Sequence, residues 1–139
     1  MKIKSAKAEW FGDFRTGEGT ITSGDFEAGY NFASVVGEAP GTSPIQVLGA
    51  ALAGCYSGAL TAALAKDNYC PKHVLTNSDV HLEPNGAGFK VARIHLDAVA
   101  EVADIDEAVF QEYAERVKQT CPVSEALAAI EITLDARLV

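Results

Sequence analysis

The chain has 139 residues, 48% of them hydrophobic, with a formal net charge of -8 and a pI near 4.7. That length supports one domain with a buried core and is too short for two ordinary ones, so residues 1–139 are expected to form a single domain. The acidic balance argues against nucleic acid as a partner, because binding a phosphate backbone needs a basic patch.

Met1-Lys2-Ile3-Lys4-Ser5-Ala6-Lys7 is positively charged but lacks the apolar stretch of a signal peptide. Three cysteines in a chain this size do not make a secreted disulfide framework. A cytosolic location is therefore expected, where a disulfide would be transient and catalytic.

In chain order, residues 3–12 read as a strand ending at Trp10-Phe11-Gly12-Asp13, and Phe14 to Gly19 as a glycine-punctuated loop. Thr20-Ile21-Thr22 and the stretch from Phe26 to Val36 flank a turn at Ser23-Gly24-Asp25. Phe26, Ala28, Tyr30 and Phe32 alternate as in a half-buried strand. Glu38-Ala39-Pro40-Gly41-Thr42 is a loop, and Ser43-Pro44 opens a helix with serine as N-cap and proline at the first helical position.

From Val47 to Ala65 that helix carries no charge, which is close to the length that spans a bilayer. The run is mostly Ala, Gly, Ser and Thr, and patterned segments surround it, so a central helix buried in a soluble protein is expected and no membrane. Such a helix is hard for one small chain to cover, which points to a second subunit, and two-fold homodimers are the commonest arrangement. Lys72–Leu82 and Gly88–Val102 then alternate as strands joined by Glu83-Pro84-Asn85-Gly86, with Ala92, Ile94, Leu96, Ala98, Ala100 and Val102 on the core side. Acids at Asp104-Ile105-Asp106-Glu107 start a helix that runs to about Gln119, with Val109, Tyr113 and Val117 inward. A short helix follows Cys121, and Ile130 to Leu138 is a closing strand. The fold class is α+β.

Cys55 and Cys121 are the residues that point to chemistry. Cys55 sits among small apolar neighbours at helical spacing (Ala51, Leu52, Gly58 and Ala59), where burial alone raises a thiol pKa and makes it inert. Cys121 precedes a proline that opens a helix, a position whose partial positive charge favours a thiolate. One buried and one activated thiol suggest a redox couple. A reactive Cys55 needs a cation, and Arg15, in a glycine-flanked loop, is the candidate. Composition leaves the plainer reading open, with Cys55 a small core residue and Arg15 a solvated loop charge.

Other patterns carry less. Cys70-Pro71-Lys72-His73 has a C-x-x-H spacing without a second ligand pair, so no metal is expected. His73, His81 and His95 share the polar phase of their strands and fit a solvated sheet face. No glycine-rich stretch matches a nucleotide-binding spacing.

Trp10-Phe11-Gly12-Asp13 with Arg15, Gly41-Thr42-Ser43-Pro44 leading into Ala50-Ala51-Leu52-Ala53-Gly54-Cys55, Cys121-Pro122-Val123-Ser124, and Glu131-Ile132-Thr133-Leu134-Asp135 stand in order along the chain. Together they resemble the OsmC/Ohr family, the OsmC branch more closely than the Ohr branch. The resemblance implies antiparallel sheets packed around a long apolar central helix in an intertwined homodimer. It also implies a thiol peroxidase for organic hydroperoxides, with two active sites at the dimer interface.

By the same resemblance Cys55 is the peroxidatic cysteine, Cys121 the resolving cysteine and Arg15 the activating cation. No prosthetic cofactor is implied; a lipoylated protein or another dithiol is the reductant. The chain departs from the family at Ile45, where a glutamate usually pairs with the arginine, and the next residue is Gln46. Asp13, Glu18 and Glu38 are the candidate replacements. That departure supports the alternative reading, a non-enzymatic ligand-binding or stress-response module with an apolar cleft; retention of both cysteines argues against it.

Overall fold

Alternating residues near the N-terminus close into a three-stranded antiparallel meander, β1 (Lys7–Phe11), β2 (Glu18–Ser23) and β3 (Phe26–Tyr30). A computed structural model of the chain describes residues 1–37 and 41–139. Its contacts gather into two compact units, Met1–Leu48 and Gly49–Val139.

In the first unit the strand expected from residue 3 begins only at Lys7, and β2 takes in Glu18 and Gly19 from the expected loop. Gly19 sits opposite Trp10 on one side and Tyr30 on the other. A Cβ there would stand 2.6 Å from the Tyr30 ring and 2.8 Å from Trp10, so only glycine lets the two rings approach to 5.6 Å between centroids. The strand expected to continue to Val36 stops at Tyr30. Asn31 instead caps a single helical turn, α1 (Phe32–Val35): its side chain accepts from the Ser34 N–H, and the Ser34 hydroxyl accepts from the Asn31 N–H. This reciprocal capping outweighs the period-two alternation through Phe32.

α2 (Pro44–Lys66) starts as expected, with the Ser43 hydroxyl accepting from the Gln46 N–H at 3.3 Å. It ends where Asn68 adopts the left-handed conformation (φ 68), with the Tyr69 and Asn68 N–H groups donating to the carbonyls of Leu64 and Ala65. Gly49, Leu52, Tyr56, Leu60 and Leu64 form one buried stripe. Ala50, Gly54, Gly58 and Ala62 form an exposed face of small residues. Within the chain, one face of α2 is covered and the small-residue face is not.

In the second unit β4 (Pro71–Asn85) and β5 (Gly88–Val102) make a long antiparallel hairpin. β4 runs through Pro84 to Asn85, so the turn is Gly86-Ala87, centred two residues later than expected, with Gly86 at φ 64. α3 (Glu107–Thr120) and α4 (Pro122–Ala126) then carry the chain back to β6 (Glu131–Leu138), which pairs with β5 in parallel. The second sheet is therefore mixed, which corrects the expectation of purely antiparallel sheets. A helical crossover returns the chain to the same end of the sheet and so permits parallel pairing.

Ile94, Leu96, Ala98 and Ala100 are fully buried, as their alternation predicted, and they share the core with Phe110, Tyr113, Ala114 and Val117 of α3. Phe110 rather than the expected Val109 is the deep residue at the start of α3. α2 lies close on β4: a Cβ on Gly49 would stand 3.0 Å from Val80 Cγ2, and the Ser57 hydroxyl donates to Thr76 Oγ1 at 2.7 Å. The opposite sheet face carries the histidines. His95 reaches Thr133 Oγ1 with Nδ1 at 2.7 Å and Asp135 with Nε2 at 3.3 Å, while Arg137 pairs with Asp97 at 3.0 Å.

Candidate functional site

The second unit brings Cys55 and Cys121 together. Tyr56, beside Cys55 on α2, is fully buried and donates its hydroxyl proton to the Ala114 carbonyl of α3 at 3.0 Å. That bond ties the middle of α2 to α3, whose last turn ends at Cys121. Burial pushes the Tyr56 phenol far above its ordinary range, with the charges of Glu115 and Cys121 adding to the effect, so it is a fixed proton donor and not an acid.

Cys121 occupies the joint between two helices, capping the end of α3 with its N–H on the Val117 carbonyl and the start of α4 with its carbonyl on the Glu125 N–H. An extended conformation there, φ -65 and ψ 142, turns the chain, and Pro122 then starts α4. The Cys121 side chain makes no capping bond to the helix it precedes. Its sulfur lies 3.0 Å from the Ser124 hydroxyl.

The burial expected for Cys55 is only partial, and Cys121 is the deeper thiol. Cys121 is buried, at 2% exposure, while Cys55 is half-buried. Cys55 stands beside the stripe formed by Leu52 and Tyr56 and is the more accessible residue of the pair. Burial pushes the Cys55 thiol up, as its apolar setting predicted; a main-chain hydrogen bond from Val123 lowers it, and the neighbouring Cys121 sulfur raises it again. Within this unit no cation is among those causes. Cys70 lies apart in character: it is exposed, just ahead of β4.

Arg15 lies in the first unit. Its main-chain N–H, with that of Thr16, donates to Asp13 Oδ1 at 2.9 Å, and the Thr16 hydroxyl donates to Asp13 Oδ2 at 2.6 Å. These bonds hold the Asp13 carboxyl below its usual range and fold residues 13–16 into a tight turn. Asp13 thus fixes the loop through its backbone. The Arg15 guanidinium instead stands over the Phe32 ring, 5.3 Å from its centroid. Among the described residues no carboxylate pairs with it: Glu18 is exposed in β2 with no such bond, and Glu38 lies outside the described residues. Ile45 is half-buried in the first turn of α2.

Beside Arg15, Trp10, Phe14, Tyr30, Phe32, Val35 and Val36 line an apolar pocket of about 400 Å³. Phe14 meets the Phe32 ring edge-on at 4.9 Å between centroids. Reading Phe32 as a strand residue hid this pocket, because Phe32 and Val35 come together on the α1 turn. Ser124 and Val123 were also missed as participants. The sequence does show the serine, in Cys121-Pro122-Val123-Ser124, but the donor on Cys55 is a backbone amide that any residue would supply.

The sequence profile of the OsmC-like protein family matches residues 37–135. The chain is 36% identical to Peroxiredoxin OsmC of Escherichia coli (strain K12), over 97% of this chain and 96% of that protein. It is 31% identical to the Organic hydroperoxide resistance protein of Xanthomonas axonopodis pv. citri (strain 306), over 68% of this chain and 66% of that one. The crystal structure of an OsmC-like protein from Mycoplasma pneumoniae superposes with a TM-score of 0.77 at 19% identity, covering 99% of this chain and 98% of the other.

Proposed function

From a chain that belongs to the OsmC-like family, nearer its OsmC than its Ohr members, we propose a cytosolic thiol peroxidase that reduces organic hydroperoxides to alcohols. The observation that carries this reading is the pairing of a half-buried Cys55 with a buried Cys121 in one unit.

The Cys55 thiolate attacks the terminal peroxide oxygen and breaks the O–O bond; the alcohol leaves with a proton, and Cys55 becomes a sulfenic acid. Cys121 then displaces the hydroxyl of that sulfenic acid, forming the Cys55–Cys121 disulfide and releasing water. An external dithiol, a lipoylated protein or a smaller compound, restores both thiols by exchange. The more accessible sulfur meets the peroxide, and the buried one is shielded from it. The chemistry uses no prosthetic cofactor.

Arg15 is the cation in this proposal, offsetting the burial that raises the Cys55 pKa. An apolar substrate is supported by the aromatic pocket of the first unit, whose wall Arg15 joins through Phe32. The working form is an intertwined homodimer, supported by the uncovered small-residue face of α2. Ile45 in place of the family glutamate favours the second reading, a non-enzymatic binding module.

Titration with cumene hydroperoxide separates the two. One equivalent should consume two thiols per chain and link Cys55 to Cys121 while Cys70 stays reduced. Cys55→Ser should abolish consumption, and Cys121→Ser should permit one turnover followed by over-oxidation of Cys55. Peptide maps that join Cys70 to either partner, or no peroxide consumption, would overturn the assignment.

A further inference from the structure

We propose that Ser124 is a positioning residue for the second thiol, holding the Cys121 sulfur through its hydroxyl and turning that hydroxyl toward the sulfur as Cys121 attacks. The inference rests on the peroxidase reading for its place in a reaction, although the attack it concerns is ordinary thiol–disulfide chemistry.

The geometry at Ser124 is over-determined. The hydroxyl has one proton and stands 2.9 Å from the Cys121 carbonyl oxygen and 3.0 Å from the Cys121 sulfur. It donates to the carbonyl, so its lone pairs face the sulfur and accept the S–H. The carbonyl also receives the Glu125 N–H at 2.9 Å, which fills its second lone pair. Ser124 is only 4% exposed and Cys121 2%, so water is a poor substitute for either bond. In the reduced protein the hydroxyl therefore fixes the rotamer of the Cys121 thiol.

Attack changes what the sulfur needs. As the S–H proton leaves, negative charge gathers on a buried sulfur at which the Ser124 hydroxyl points its lone pairs. Rotation of the Ser124 hydroxyl replaces that repulsion with a charge-assisted bond, and the Cys121 carbonyl keeps the Glu125 N–H. A single side chain thus serves both protonation states. Alanine at 124 serves neither.

The second step can be isolated without peroxide. In a Cys70→Ser background, dithiodipyridine reacts first with Cys55, which forms a mixed disulfide and releases one thiopyridone. Cys121 then attacks the Cys55 sulfur of that mixed disulfide, its proton goes to solvent, and a second thiopyridone leaves as the protein disulfide closes. Wild type should release two equivalents in two phases. Ser124→Ala should slow the second phase five-fold or more and shift its pH profile upward, with the first phase changed less than two-fold.

Ser124→Thr and Ser124→Val have equal bulk, so any strain from the added methyl is shared and only the threonine keeps the hydroxyl. Threonine should close the disulfide at least three-fold faster than valine. Equal second-phase rates in that pair, or release of fewer than two equivalents by wild type, overturn the proposal. Hydroperoxide consumption by the same proteins reads the other question. A wild type that closes the disulfide with dithiodipyridine but consumes no hydroperoxide sinks the peroxidase reading and leaves the Ser124 result standing.

Discussion

The main-chain amide of Val123 lowers the pKa of the Cys55 thiol, which burial raises. α4, which supplies that amide, also holds Ser124 against Cys121, so one short turn of chain touches both thiols. The reduced pair is asymmetric as a result: the accessible sulfur receives a fixed backbone donor, and the buried sulfur faces a hydroxyl that can rotate.

Burial and the neighbouring Cys121 sulfur raise the Cys55 pKa, while the Val123 amide opposes them. A raised pKa means that the fold prefers the neutral thiol. The associated stability is present below the unfolded thiol value and is lost as pH rises through the folded one. Alkylation of Cys55 should accelerate with pH about the midpoint of its own ionisation. Arg15→Ala should move that midpoint up and slow peroxide reduction at pH 7, and Arg15→Lys should restore only part, because an ammonium lacks the planar fork. A midpoint that moves up by one pH reports about 1.4 kcal/mol of lost thiolate stabilisation. Identical alkylation profiles for wild type and Arg15→Ala would remove Arg15 from the site.

The Tyr56 hydroxyl bond to Ala114 gives a second expectation. Tyr56→Phe keeps the ring in the core and removes one buried hydrogen bond, which costs about 1 kcal/mol. Because this bond ties α2 to the helix that delivers Cys121, disulfide closure should slow by more than the loss of thermal stability alone accounts for. Stopped-flow closure rates beside melting curves test this. A stability loss with an unchanged closure rate would make Tyr56 a core residue and nothing more.

Much of the fold was legible because its signals are local. Ser43-Pro44 marks the start of α2, and the alternation of Ile94, Leu96, Ala98 and Ala100 gives the inner face of β5. Three features were not legible, each because a contact distant or geometric in kind decided it. The parallel pairing of β6 depends on a crossover that no strand pattern records. Asn31 and Ser34 convert an apparent strand into α1 through two hydrogen bonds. At the site, flanking residues singled out both cysteines, but their burial depends on how α2 turns against α3, and Cys55 falls at the margin of that contact.

Phe32 offers a test of the first unit. Its ring stacks under the Arg15 guanidinium and forms one wall of the apolar pocket. Phe32→Ala removes a cation–π contact of about 0.5–1 kcal/mol at an exposed site. It should raise the KM for cumene hydroperoxide several-fold more than that for hydrogen peroxide, since only the organic substrate uses an apolar wall. Equal effects on both substrates would place substrate binding elsewhere.

The glycines of α2 distinguish the covered face from the uncovered one. At Gly49 a Cβ would press within 3.0 Å of Val80 and 3.2 Å of Ser78, so Gly49→Ala should destabilise the chain by about 1–3 kcal/mol through overpacking. At Gly54 and Gly58 nothing stands within 4 Å of where an added Cβ would lie, so alanine there meets no obstacle inside the chain. Helix propensity alone would then favour Gly54→Ala by up to about 1 kcal/mol. If a second copy packs on this face, a larger side chain blocks its approach without harming the chain that bears it. Gly54→Leu should therefore keep the wild-type circular dichroism spectrum and sediment as a monomer, where wild type should sediment as a dimer at micromolar concentration. A wild type that is monomeric under those conditions, or a Gly54→Leu dimer of undiminished affinity, would exclude this face as the subunit contact.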